Sequence, residues 1–145
     1  AEAKDRLIAT YAANTARPPI AFPRFAPVAA AAMFRRSSAV CLEVMRWQVE
    51  AGRSVGGGSG YRQIASCRTG ADGPGLIVDM GVARDPKAHP KWRGGVVDGI
   101  ITTEPDHTSL LARAFGTRTD LRPMLVSSTA APGLVASQPP TIEGI

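Results

Sequence analysis

Residues 27–52, PVAAAAMFRRSSAVCLEVMRWQVEAG, form the longest run of regularly spaced apolar residues in the chain, with a punctuating residue at each end. Pro27 suits the first turn of a helix, where its missing N–H is not needed. Gly52 suits the position just past the last turn, where a left-handed conformation costs little. At 100° per residue Arg35, Glu43, Arg46, Glu50 and Arg53 fall in one polar stripe with Arg36 at its border, and Met33, Val40, Val44 and Trp47 fall opposite. Phe34, Cys41, Leu42, Met45 and Val49 widen the apolar arc beyond the roughly 100° that a single contact face needs. The spacing therefore predicts a long central helix covered from two sides, with Val44 and Trp47 buried and Arg46 and Glu50 exposed.

On either side of this stretch the chain is less regular. Ala3 to Thr15 reads as a short helix with a thin apolar stripe, and residues 17–25, RPPIAFPRF, read as an extended arm, because each proline fixes its own φ and turns the preceding residue away from helix. Residues 55–60, VGGGSG, are a flexible loop; neither a Lys-Ser/Thr pair nor a helix follows to make it a phosphate cradle. Tyr61–Arg68, Leu76–Val78 and Val96–Thr103 have strand character, with the dense turn residues 70–75 between the first two. Thr103-Glu104-Pro105-Asp106 is a helix-start signal for a short helix closed by Gly116, and Leu121–Ser127, interrupted by Pro123, reads as an edge strand.

The order of elements predicts an α+β fold: a long central helix packed on a small, mainly antiparallel sheet, with an extended N-terminal arm and a C-terminal tail. The chain divides into residues 1–26 (helix and Pro-rich arm), 27–128 (a single domain) and 129–145 (a tail rich in Ala, Pro, Gly and Ser). At 145 residues the chain is long enough to bury a core without metal or disulfides. Cys41 and Cys67 fit either one bridge or two buried free thiols. Charge-free apolar runs fall far short of the roughly 20 residues that span a bilayer, so a soluble protein without membrane insertion is expected.

Candidate chemistry is sparse. With His89 and His107 as the only histidines and no C-x-x-C pair, a standard zinc site cannot be drawn, and neither metal nor cofactor is expected. Asp79 and Asp98 each end an apolar strand, and Asp106 and His107 follow the second, so the four could gather at one sheet edge for general acid–base work or a divalent cation. The plainer alternative has the two aspartates facing outward at turns and Asp106 capping a helix. Serine and cysteine nucleophiles can be paired with a histidine only on paper, and no G-x-S-x-G elbow is present.

The net charge is +5, and residues 1–70 hold ten Lys/Arg against four Asp/Glu. Arg84, Lys87, His89, Lys91, Trp92 and Arg93 interleave cations with an aromatic in the long polar loop 84–95, a pattern suited either to nucleic acid or to a solvated loop whose Trp92 folds back on the core. Arm, loop and tail beside so poor a catalytic inventory favour a non-catalytic subunit of a larger assembly, such as a phage or virus particle, contacting other subunits or copies of itself. A small hydrolase or lyase at the acidic residues and a basic nucleic-acid-binding module are the alternatives.

Overall fold

The computed structural model describes residues 13–70, 75–88, 90–105 and 121–138, and in it the stretch 27–52 is not a helix. After the two-residue strand β1 (Ile20–Ala21), one 3₁₀ turn at Ala30–Ala32 leads into β2 (Arg36–Cys41) and, with only Leu42 between them, into β3 (Glu43–Arg53). The helical spacing has a β origin. In a regular strand, residues three apart point to opposite faces. Here the chain turns a corner at Leu42, and the register against the neighbouring strand shifts between Val44 and Arg46, leaving Met45 as an extra, bulged residue. Cys41, Val44 and Trp47, three apart, thus all reach one core. Val40 and Met45, placed on the covered side by the helical reading, are 50% and 61% exposed; Val44 and Trp47 are half-buried.

Short apolar runs bounded by turn residues place the remaining strands: β4 (Ser59–Arg68), β5 (Leu76–Ala83), β6 (Gly95–Thr103) and β7 (Pro123–Ser127). The α+β expectation gives way to a seven-stranded mixed sheet in the order β1-β2-β6-β7-β5-β4-β3, in which β1 with β2 and β5 with β7 run parallel and the other pairs antiparallel. Helical structure among the described residues, apart from the 3₁₀ turn, is confined to residues 13–16. Most of the helix expected at Ala3–Thr15, and nearly all of the one expected at 103–116, lies outside the described residues. β7 is no edge strand, since it runs between β6 and β5; Pro123 is tolerated because it is the first residue of the strand, opposite Thr103.

One residue, Leu42, links strands near opposite ends of this sheet, so the sheet is rolled until those ends meet. The Leu42 N–H donates to the Arg68 carbonyl (2.9 Å), and the Val44 N–H donates to the Arg93 carbonyl just ahead of β6 (3.0 Å). Across this seam Cys41 of β2 and Cys67 of β4 form a disulfide with Cα atoms 5.3 Å apart, which resolves the two readings of the cysteines. The inner face carries the main core, with Cys41, Ala65, Leu76, Val78, Met80, Val97, Ile101 and Leu125 buried; Ile64, Ile77, Met124 and Val126 form a second cluster.

Neither arm nor tail hangs free where it is described. β1 pairs with Ser37 and Ser38, and Arg35 and Ser37 donate to the carbonyls of Pro18 (2.8 Å) and Ile20 (2.7 Å). Residues 129–138, expected to form a tail outside the core, fold back over the sheet. Ala131 joins the core and donates to the Met80 carbonyl, and Val82 and Val135 exchange two hydrogen bonds (2.7 and 3.1 Å). Gln138 N–H then donates to the Arg53 carbonyl.

Candidate functional site

The four residues of the expected acidic site do not stand as a group. Asp79 sits on β5 and Asp98 on β6, with β7 running between them, a lateral offset of about 10 Å at ordinary strand spacing. Asp98 is exposed and accepts a hydrogen bond from Ser38 Oγ, whereas Asp79 is fully buried. Asp106 and His107 lie outside the described residues. Among the described residues no group of three or more His, Cys, Asp or Glu side chains could hold a metal ion.

Asp79 belongs instead to a buried polar knot. Between Arg62 and Ile64 of β4, the register against β5 shifts by one residue, accommodated at Gly81, whose φ of +127° suits glycine. The shift brings Arg62 alongside Asp79. Its Nε lies 3.4 Å from Asp79 Oδ2, without hydrogen-bond alignment, while Asp79 Oδ1 accepts from Ser137 Oγ (2.7 Å) and from the Gly81 N–H (3.1 Å). The Arg62 guanidinium also donates to the carbonyls of Gln138 (3.2 Å) and Ala51 (3.4 Å). Burial pushes the Asp79 carboxyl up to about 6, against the opposing pull of Ser137, Gly81 and the Arg62 charge, and burial likewise lowers Arg62. With Oδ1 held by Ser137 and Gly81 and Oδ2 facing the Arg62 guanidinium, Asp79 fastens the strap 134–138 to the sheet.

The polar loop between β5 and β6 opens with a turn in which Asp85 Oδ1 accepts from the Lys87 N–H (2.9 Å), leaving Arg84 and Lys87 exposed and apart from Trp92. His89 lies outside the described residues. Residues 90–93 then run beside the bulge of β3, and Trp92 meets Trp47 edge-to-face with ring centroids 6.4 Å apart. Trp92 thus packs against the core, yet its indole also lines a groove of about 460 Å³ together with Trp47, Met45, Arg46, Lys91 and Arg93. Of the loop residues singled out in the sequence, Lys91, Trp92 and Arg93 come together. Their partners Arg46 and Trp47 were hidden because a helical reading gives no strand to run beside residues 90–93.

A further surface feature went unread. Val40 of β2 and Val96 of β6 stand directly opposite one another, 50% and 69% exposed, and Leu42 at the adjoining corner is 50% exposed. In the helical reading Val40 faced a core; in the sheet it shares the outward face with Ser38 and Arg36. No described helix is long and apolar enough to cross a membrane. No family model, curated protein or solved structure matches the chain.

Proposed function

We propose that the protein is a non-catalytic subunit of a larger assembly, and that it contacts other copies of itself through the outer face of β2 and β6. The observation that carries this reading is the cross-strand pair Val40 and Val96, exposed on a sheet face and continued by Leu42 at the corner. Apolar residues scattered singly over a surface need no partner, but the directly paired, exposed Val40 and Val96, with Leu42 at the next corner, concentrate apolar surface in one place, as an interface does. The described parts of the arm and tail, bonded to their own sheet, act in this reading as internal straps that stiffen the subunit. An acidic hydrolytic site draws less support, because the Asp79 carboxylate is taken up by Ser137, Gly81 and Arg62.

Sedimentation velocity over a range of concentrations tests the proposal. The wild type is expected to sediment as an oligomer that dissociates on dilution, and Val40→Glu with Val96→Glu to sediment as a monomer with an unchanged unfolding midpoint. A wild type that stays monomeric at every concentration removes the self-assembly reading.

A further inference from the structure

We propose that the groove between β3 and residues 90–93 binds single-stranded polynucleotide, with bases against the indoles of Trp47 and Trp92 and phosphates on Arg46, Lys91 and Arg93. This site is separate from the β2/β6 face and stands whether or not that face forms an interface.

Three observations converge here. The groove has about 460 Å³ of open volume, enough for a base-sized ring, and both tryptophans line it while remaining half-buried, so each presents ring surface on a fixed backbone. Its charged lining is all of one sign. Among the described residues no carboxylate lines the groove and no ion pair neutralises Arg46, Lys91 or Arg93; Glu43, the acid that opens β3, pairs with Arg68 (3.6 Å), and Asp85 is engaged with the backbone of its own turn. The third observation concerns the backbone. The bond from Val44 N–H to the Arg93 carbonyl pins the loop backbone to the strand bulge, so the residues that carry the cations and the rings are already side by side before any ligand arrives.

Planar stacking surface beside guanidinium and ammonium groups that no described carboxylate neutralises, Arg46 donating only to the Ser66 hydroxyl (3.5 Å), is the chemistry of sequence-tolerant single-strand binding, in which each base offers a π-face and each phosphate a charge. An acidic peptide would use the cations and leave the indoles without a flat partner. Duplex nucleic acid has its bases stacked on one another and would not reach the rings.

Trp47 and Trp92 are the only tryptophans in the chain, so intrinsic fluorescence reads the site directly. Titration of the full chain with oligo(dT) and with oligo(U) at low salt is expected to quench this emission, and the tighter of the two identifies DNA or RNA as the preferred strand. With three cations engaged, affinity should fall roughly 20-fold between about 50 and 200 mM salt. Lys91→Ala with Arg93→Ala should weaken binding and flatten the salt dependence to that of about one phosphate contact. Arg84→Ala with Lys87→Ala removes the same charge from the same loop but outside the groove and should change neither. Trp92→Phe, which retains a ring and spares the fold, should bind more weakly with the salt dependence preserved. Polyglutamate or duplex DNA binding as tightly as the single strands overturns the proposal. So does an absence of quenching at low salt, or an equal loss in the two double-cation variants.

Discussion

Asp79 and Ser137, 58 positions apart in sequence, are joined by a 2.7 Å hydrogen bond inside the protein. Through it the strap 134–138 closes over β5, and the buried carboxylate gains a donor in place of water. Removing the hydroxyl leaves a buried charged acceptor short of one partner. Ser137→Ala is therefore expected to cost about 1.5–3 kcal/mol, the range for hydrogen bonds to charged groups. Urea unfolding at neutral pH measures it as a lowered midpoint at unchanged slope.

The same carboxyl makes stability depend on pH in a defined direction. Asp79 is raised from 3.8 to about 6 in the folded protein, so the fold holds this proton more tightly than the unfolded chain does. Its contribution is then fully present below the unfolded value and is lost as pH rises through about 6. Acidification from pH 7 to pH 4 should favour the folded state through this group by about 2 kcal/mol. The difference in melting temperature between the wild type and Asp79→Asn, in which all other titrations cancel, should shift in the wild type's favour over that interval. A difference that is flat with pH would mean that Asp79 is solvated.

Cys41 and Cys67 tie two strands that lie four places apart in the sheet order, across a sequence separation of 26. In the chain-entropy account, closing a loop of that length restrains the unfolded chain by about 3.5 kcal/mol. Replacing both cysteines by alanine should lower the guanidinium midpoint by the corresponding amount. Because both residues are buried, reductant should act on the native protein only at the rate at which the seam opens, and faster in mild denaturant.

Gly99 of β6 faces the backbone of β7: a Cβ added there would land on the Val126 carbonyl and meet the Ser127 Cα. Backbone in the middle of a ladder cannot step aside as a side chain does. Gly99→Ala should cost about 3 kcal/mol or more, at or above the upper end of ordinary overpacking. Gly56→Ala, in the turn between β3 and β4 where an added methyl has room, should stay within about 0.5 kcal/mol. Thermal unfolding of the pair separates a loss specific to the strand contact from a general loss of glycine.

Strands β4 to β7 were legible at least in part because short runs rich in β-branched and apolar residues lie between turn-forming stretches, too short for a helix; β5 and β7, buried along their whole length, show no alternation. The segment 27–52 was not, and the reason lies in Leu42 and Met45. A corner and a bulge each insert one residue, so Cys41, Val44 and Trp47 recur every third position and imitate a helix. Residues 129–138 were unreadable for a different reason. They are held by backbone hydrogen bonds at Ala131, Val135 and Gln138, which any composition can make, and by Ser137, whose partner is far away in sequence. Of the candidate groove, Lys91, Trp92 and Arg93 were visible as a cluster of cations around an aromatic. Arg46 and Trp47 join them only through the sheet register.

The corner at Leu42 also fixes where this chain can tolerate a change in length. Side chains alternate in and out along β3, and their phase is counted from the single residue that links it to β2. One codon added or lost there would turn Val44 and Trp47 away from the core, and would pull Cys41 out of step with Cys67. The tip of the next turn, residues 56–58, reverses in solvent beyond the Val55–Ala136 bond and carries no such phase. Insertions and deletions accepted by this fold should therefore collect at that turn and stop short of the seam.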